Sequence, residues 1–212
     1  MREIDIYPDA PSLARAAAER FTNAAEAAIN TRNRFVVALS GGSTPKALYQ
    51  LLATEEFASR IDWSNVHVFW GDERCVPPDH VDSCYHMARH TLLDYVPLPL
   101  GNIYRIQGEL EPEEAAFQYE AKLRDFFHNR SDGSVLRARF DLILLGMGDD
   151  GHTASLFPQG TALYEEERWV AAQFVEKMPN QWRVTLTPVA LNAAGEKLSK
   201  QTGAAPLSDS KA

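Results

Sequence analysis

The sequence predicts an α/β domain in which helices flank a mostly parallel sheet. Short apolar runs occur at 34–39, 66–70 and 140–145, and a glycine follows each of them within two residues. Buried parallel strands are continuous apolar runs of this kind, and strands that alternate with helical segments indicate a layered fold. We therefore expect a single domain over residues 1–200 and a disordered tail at 201–212.

Each remaining element follows from its local pattern. Residues 4–6 alternate apolar and polar side chains and predict a short first strand, and further apolar runs predict strands at 169–175 and 183–187. The polar residues at 71–74 predict a loop. Helical spacing, or proline and acids in a first turn, predicts helices at 12–30, 46–52, 83–95 and 112–128 and the start of a helix at 188–194.

The composition is typical of a globular protein, with 45% hydrophobic and 24% charged residues among 212. The formal net charge of −8 argues against nucleic acid as a partner, because phosphate backbones are bound by clustered basic residues. No apolar run approaches the length of a membrane span. The N-terminus lacks the pattern of a secretory signal, which predicts a cytoplasmic protein, and Cys75 and Cys84 suit that reducing compartment.

A glycine-rich segment at 146–153 places a histidine and two acids directly after a predicted buried strand. In open α/β sheets, ligands bind beyond the carboxyl ends of such strands. An imidazole titrates near neutral pH, so His152 beside Asp150 can take a proton from water without a metal. The alternative is a solvated surface turn, but the glycines, the acids and the preceding strand together favour a catalytic loop.

The loop at 40–45 has the composition of a phosphate cradle. Its glycines let backbone N–H groups approach oxygens, and its hydroxyls add donors. Pro45 can begin a helix whose positive end faces an anion. The pattern of a nucleotide P-loop is missing. A tight connection between a strand and a helix explains the glycines equally well.

The segment at 71–78 places two acids and an arginine after another predicted strand. Arg74 can fix an anionic oxygen, because its planar guanidinium group stays charged and pairs well with phosphate or carboxylate. A structural ion pair with Asp72 or Glu73 is the alternative, and on this segment alone it is favoured.

The histidines that follow do not predict a metal site. His86 and His90 lie one helical turn apart, but the spacing matches no common zinc site. Asp82 or Ser83 is more simply the N-cap of a helix that carries exposed histidines. Neither a metal nor another cofactor is expected.

Four segments carry a family resemblance. They are Ser-Gly-Gly-Ser-Thr-Pro at 40–45, Trp-Gly-Asp-Glu-Arg-Cys-Val-Pro at 70–77, Leu-Gly-Met-Gly-Asp-Asp-Gly-His-Thr-Ala-Ser-Leu-Phe-Pro at 145–158, and the stretch from 183 to 194. Together they resemble the 6-phosphogluconolactonases, enzymes of the oxidative pentose phosphate pathway. The likeness implies a phosphosugar-isomerase-like α/β fold. It also implies hydrolysis of 6-phospho-D-glucono-1,5-lactone to 6-phosphogluconate without a cofactor.

The resemblance implies a role for each matching residue. His152 is expected to be the general base that activates water, with Asp150 setting the loop or the imidazole. Arg74 is expected to stabilise the negative charge that develops on the lactone oxygen, and Asp72 joins the catalytic residues. The residues expected to bind substrate are Gly41, Gly42, Ser43, Thr44 and Gly151, with Arg183 and Lys197 as basic partners of the phosphate.

The chain departs from the family pattern in two places. Cys84 stands in a stretch where the family usually carries an asparagine. After Ala194 the apolar strand and the closing helix of the pattern are missing. We therefore expect the sheet to lack its last strand and helix and to have an open edge, with no strand to support Lys197.

Two other functions stay open. The isomerases that deaminate amino sugar phosphates share the glycine loop and the Asp-Gly-His core, and they would use Asp72 as a base for a carbon-bound proton. A non-catalytic phosphosugar-binding module is the other alternative, because similar folds serve as effector domains. In each case the partner is a small phosphosugar, and we expect a monomer or a weak homo-oligomer.

Overall fold

Two sheets form the framework of the protein, for which the computed structural model describes residues 4–128, 138–176, 178–193 and 197–199. A parallel sheet has the strand order β2-β1-β4-β7, and an antiparallel sheet has the order β3-β6-β5. The predicted class, α/β with a parallel sheet flanked by helices, is confirmed. In chain order the strands are β1 (Phe35–Leu39), β2 (Val66–Trp70), β3 (Asp72–Arg74), β4 (Leu142–Leu145), β5 (Val170–Phe174), β6 (Trp182–Leu186) and β7 (Lys197–Ser199).

The helices pack against both sheets. They are α1 (Ala10–Arg32), α2 (Ser43–Leu52), α3 (Glu55–Ala58), α4 (Cys84–Thr91), α5 (Pro112–His128) and α6 (Pro188–Ala193). α1 contacts β1 and α2, whereas α5 contacts β5 and β6. No helix within the described ranges is long and apolar enough to cross a membrane.

α1 begins and ends where its sequence supplies caps. Asp9 accepts a hydrogen bond from the backbone N–H of Ser12 at 2.7 Å, and Asn33 ends the helix in the left-handed conformation with a φ of 55°. Buried alanines and Phe21 recur three or four residues apart along one face. The Phe21 ring packs edge-on against Phe35 of β1, with 5.3 Å between centroids, and so anchors the helix to the sheet.

Two buried tyrosines hold the polypeptide where β1 and β2 end. The Tyr49 hydroxyl accepts from the Ser40 N–H at 3.0 Å and donates to the Ser40 carbonyl at 2.8 Å. The Tyr119 hydroxyl makes the same pair of bonds to Trp70, at 2.8 and 2.9 Å. Burial raises the pKa of both phenols well above its ordinary value. Each hydroxyl therefore satisfies two backbone groups that the sheet leaves unpaired.

Gly71 joins the two sheets. Its N–H donates to the carbonyl of Leu39 at the end of β1, and its own carbonyl accepts from the N–H of Leu186 at the end of β6, both at 2.8 Å. Gly71 is buried, and a Cβ atom there would lie 3.6 Å from the Leu39 oxygen. The chain thus passes from β2 directly into β3 of the antiparallel sheet.

Two sequence predictions about strands are wrong. Residues 4–6 form no strand, and Ile4 and Ile6 are 67% and 91% exposed, because this alternating segment has no sheet to pack against. The polar segment 71–74 is not simply a loop, since β3 lies within it and pairs with β6. The side chains of Asp72 and Arg74 border a cavity instead of the apolar core, so the segment lacks the pattern of a buried strand.

The end of the sheet also differs from the prediction. β7 is present and pairs in parallel with β4, so the expectation of a missing last strand is wrong. Three residues are too short a run to stand out by composition. The closing helix and the tail at 201–212 lie outside the described residues, and the single domain over 1–200 stays a prediction. The helix predicted at 83–95 ends at Thr91, and a short 3₁₀ turn follows.

We predict that Tyr49→Phe lowers the free energy of unfolding by about 1–3 kcal/mol, because two buried backbone groups of Ser40 lose their partner. Urea unfolding followed by circular dichroism measures this loss. Tyr104→Phe is the matched control, since its ring stacks on Phe69 in the same core and its hydroxyl has no hydrogen bond among the described residues. A loss of equal size in both variants would contradict the role given to Tyr49.

Candidate functional site

Loops from both sheets enclose a cavity of about 230 Å³ at the carboxyl edge of the parallel sheet. Five of the predicted site residues border this cavity although they are far apart in sequence. They are Gly41, Asp72, Arg74, His152 and Arg183. The other lining residues are Ser40, Cys84, Gly146, Met147, Gly148, Ala154, Ser155, Phe157 and Met178.

The loop after β4 folds back on itself and carries His152. The Thr153 hydroxyl donates to the carbonyl of Gly146 at 2.9 Å, and the Gly148 N–H donates to the carbonyl of His152 at 2.9 Å. Gly151 has a φ of 84°, a conformation that glycine adopts without strain. This turn brings the side chain of His152 back toward the strand end.

Two neighbours fix the imidazole of His152. Its Nδ1 lies 2.5 Å from Oδ1 of Asp150, and the ring of Phe157 stacks on it at 4.1 Å between centroids. Nε2, the other ring nitrogen, has no hydrogen bond within the part of the chain that the structure describes. The side chain is 21% exposed and borders the cavity, so Nε2 is left for proton transfer.

Asp150 is held as a carboxylate. Its small degree of burial raises its pKa, but the hydrogen bonds from the ring and the backbone N–H of His152 together outweigh this effect and lower the pKa. A carboxylate at Nδ1 fixes the orientation of an imidazole and stabilises its protonated form. Asp150 contacts the imidazole as the sequence predicted, and its role in catalysis stays a prediction.

Arg74 and Arg183 occupy directly opposite positions on β3 and β6. Burial lowers the pKa of Arg183, and the charge of Arg74 lowers it further. Like charges that face each other across a strand pair are destabilising. The guanidinium group of Arg183 donates hydrogen bonds to the carbonyls of Trp182 and Pro179, at 3.3 and 3.0 Å. The remaining positive charge is one that an anion in the cavity would neutralise.

The ion pair considered for Arg74 does not form. Its Nη1 donates to the carbonyl of Asp82 at 2.8 Å, and its Nε is buried without a hydrogen bond among the described residues. Burial lowers the pKa of Arg74, but the acidic groups around it, Asp72 and Glu73 among them, more than reverse this effect. Arg74 therefore stays charged beside the cavity.

Glu73 is a structural residue that the sequence did not single out for this role. It is 2% exposed and accepts hydrogen bonds from the N–H groups of Cys84 and Tyr85 at 2.7 and 2.8 Å, and from the Ser83 hydroxyl at 2.9 Å. Burial raises its pKa, and these bonds partly oppose the rise. A carboxylate at the N-terminus of α4 complements the helix dipole and attaches α4 to β3. The contact spans ten or more residues and leaves no local signal.

The glycine loop borders two cavities. Gly41 lies between the first cavity and a second one of about 370 Å³, whose wall includes Gly42, Ser43 and Thr44. α2 begins at Ser43, earlier than predicted, and Gly42 has a φ of 108°. A Cβ atom at Gly41 would lie 2.5 Å from Sγ of Cys84, so these two residues pack closely. Whether this loop binds phosphate stays a prediction.

The remaining predicted site residues do not border the first cavity. Gly151 and Asp150 belong to the His152 loop but do not border the first cavity. The backbone of Lys197 pairs with Ile143, two residues before the end of β4, so it is not at the carboxyl edge. The histidines of α4 contact each other, with 4.4 Å between the rings of His86 and His90. Within the described ranges, no group of three or more His, Cys, Asp or Glu could hold a metal.

This fold places a cavity at the carboxyl edge of a parallel sheet, which is where open α/β proteins bind their ligands. The family model described as "Glucosamine-6-phosphate isomerases/6-phosphogluconolactonase" matches residues 8–206, and the chain belongs to this family. The resemblance found in the sequence motifs is thereby confirmed.

Several relatives carry the name 6-phosphogluconolactonase. The chain is 39% identical to that of Nostoc sp. over 204 residues, which are 96% of this chain and 81% of the relative. It is 41% identical to a probable chloroplastic relative in Oryza sativa subsp. indica over 84% of this chain, but spans only 55% of that protein. A solved 6-phosphogluconolactonase from Trypanosoma cruzi has a TM-score of 0.81 and 30% identity, covering 94% of this chain and 79% of its own.

We predict that Gly148→Ala displaces the His152 imidazole, because a Cβ atom at this position would overlap the ring. Loss of the hydrogen bonds between His152 and Asp150 should raise the pKa of Asp150 toward its ordinary value, since these bonds lower it. A pH titration of the Asp150 carboxyl group by NMR measures the shift.

Gly146→Ala is the control for this substitution. It changes another glycine of the same loop, but nothing lies within 4 Å of a Cβ atom there. We expect Asp150 to titrate in this control as in the unmodified protein. The same titration curve in Gly148→Ala would show that the imidazole tolerates the methyl group.

Proposed function

We propose that this chain hydrolyses 6-phospho-D-glucono-1,5-lactone to 6-phospho-D-gluconate, a reaction of the oxidative pentose phosphate pathway, in the cytoplasm. The observation that carries the proposal is a histidine, oriented by a carboxylate, on the wall of a cavity that two arginines also border. Hydrolysis of a phosphorylated lactone needs a base for water and positive charge for the phosphate and the developing oxyanion. The names of the relatives agree with this chemistry.

In the proposed reaction, Nε2 of His152 takes a proton from water as the water oxygen attacks the lactone carbonyl carbon. The bond between this carbon and the ring oxygen then breaks, and the imidazolium gives its proton to the leaving ring oxygen. Asp150 holds the imidazole and stabilises its positive charge. Asp72 accepts a hydrogen bond from the second O–H group of the water, which keeps its proton, and so orients the water for attack.

The positive groups serve two negatively charged groups, the phosphate of the substrate and the oxyanion that forms during the reaction. Arg74 stabilises the oxyanion that forms at the carbonyl oxygen. Arg183 and the backbone N–H groups of the loop 41–44 bind the phosphate, at a point where α2 begins. Gly41 borders both cavities, so the loop 41–44 and His152 lie on the walls of two adjoining cavities. Gly151 keeps the substrate-binding role proposed from the motif, whereas Lys197 would have to reach the phosphate from its position within β7, two residues below the end of β4.

The position of Asp72 favours one further candidate. Its carboxylate borders the same cavity as His152, where it would serve as the base of an amino sugar phosphate isomerase and deaminase. Release of ammonia from glucosamine 6-phosphate, with no hydrolysis of the lactone, would favour that reaction. Binding of 6-phosphogluconate without turnover of either substrate would favour a non-catalytic module.

We predict that His152→Ala lowers kcat for the lactone by at least about a hundredfold, because general base catalysis contributes roughly 10²–10⁴ in rate. A coupled assay on freshly generated lactone, corrected for its spontaneous opening, measures kcat. His90→Ala is the control, since His90 is half exposed on α4 and borders neither cavity. Full activity of a folded His152→Ala variant would remove this residue from the mechanism.

We predict that Arg183→Met raises KM roughly tenfold or more, since a hydrogen bond to a charged group contributes about 1.5–3 kcal/mol. Removal of one of two opposed charges should leave the folded state as stable as before. Inorganic phosphate should then raise the melting temperature of the unmodified protein but not of the variant, because the variant lacks the guanidinium group proposed to bind the phosphate. Equal stabilisation of both proteins by phosphate would contradict this assignment.

A further inference from the structure

Ser155 lies between two of the proposed catalytic groups. It follows His152 by three residues in the loop after β4, and it is 1% exposed although it is polar. It also borders the first cavity. A buried hydroxyl at this place needs hydrogen-bond partners, and the identity of these partners indicates what Ser155 does.

Both hydrogen-bond donors of Ser155 bind to the antiparallel sheet. The hydroxyl donates to Oδ2 of Asp72 at 2.7 Å, and the backbone N–H donates to the hydroxyl of Thr185 at 3.2 Å. Asp72 and Thr185 are directly opposite each other on β3 and β6. The loop that carries His152 is therefore attached to the sheet that carries Asp72.

The hydrogen bond also fixes the carboxylate itself. Oδ2 of Asp72 is occupied by Ser155, whereas Oδ1 has no hydrogen bond among the described residues. A carboxylate held through one oxygen in a buried site cannot rotate freely, so its other oxygen keeps one direction. Loss of the Ser155 hydroxyl would therefore change the direction of Oδ1 and would also remove one bond between the His152 loop and β3.

We propose that Ser155 is a positioning residue that acts through Asp72 and sets this carboxylate against the His152 imidazole across the cavity. The proposal rests on the lactone hydrolysis proposed above. Ser155 itself transfers no proton and contacts no reacting atom. Its effect is on the geometry in which Asp72 orients the attacking water, and this geometry determines kcat rather than the binding of the phosphate.

A double-mutant cycle tests the proposal with Ser155→Ala, Asp72→Asn and the double variant. Ser155→Ala should lower kcat roughly tenfold to a hundredfold, the range expected for loss of a hydrogen bond to a charged group, with KM within about twofold. In the Asp72→Asn background the same substitution should lower kcat no further, because the partner through which it acts is already changed.

The control is Thr22→Val, which removes a hydroxyl as buried as that of Ser155 from α1, where it bonds only within the helix and borders neither cavity. It should leave kcat and KM unchanged. Thermal unfolding is recorded for every variant. If Ser155→Ala does not fold, Ser155→Cys takes its place in the cycle, because a thiol leaves no cavity in place of the hydroxyl but is a weak donor.

The outcomes separate the two proposals. Absence of lactone turnover by the unmodified protein contradicts the proposed function itself. With turnover established, additive losses in the double variant, or a change confined to KM, would overturn the role of Ser155. Loss of kcat by Ser155→Ala alone, absent in the Asp72→Asn background, supports it.

Discussion

Two buried phenol hydroxyls determine where the site lies. Tyr49 binds both backbone groups of Ser40, which directly follows β1, and Tyr119 binds both backbone groups of Trp70, the last residue of β2. Unpaired backbone groups in a buried position cost free energy, so the chain can leave the sheet there only because these hydroxyls satisfy them. The glycine loop and β3 both start from these two fixed points.

A fixed framework allows the site to hold groups that oppose folding. Arg74 and Arg183 repel each other, and Asp72 is buried beside them without an ion pair among the described residues. Such groups are retained in functional sites because rigid surroundings compensate for them. Glu73 contributes to this rigidity, since it joins β3 to the N-terminus of α4 while Arg74 binds the carbonyl of Asp82. The buried charges of the site lower its stability, and the hydrogen bonds around them offset this cost.

Local patterns predicted the elements that are locally determined. β2 and α5 have the predicted bounds, because an apolar run and an acidic first turn are visible in the sequence itself. β3 was not predicted, since its polar residues become a strand only by pairing with β6, about a hundred residues later. In the site, His152 and Asp150 are two residues apart and were predicted together. The contacts of Glu73, of Ser155 and of Gly41 with Cys84 depend on the folded chain, so no sequence pattern indicates them.

The junction at Gly71 explains why one cavity can contain residues from both sheets. A parallel sheet alone presents loops at its carboxyl edge, and here these are the glycine loop and the His152 loop. Since Gly71 bonds to the ends of both β1 and β6, β3 and β6 lie beside that same edge. The parallel sheet thus supplies the imidazole and the backbone N–H groups, and the antiparallel sheet supplies the carboxylate and the guanidinium groups. The two backbone hydrogen bonds of Gly71, one to each sheet, therefore fix the spacing between these two sets of groups.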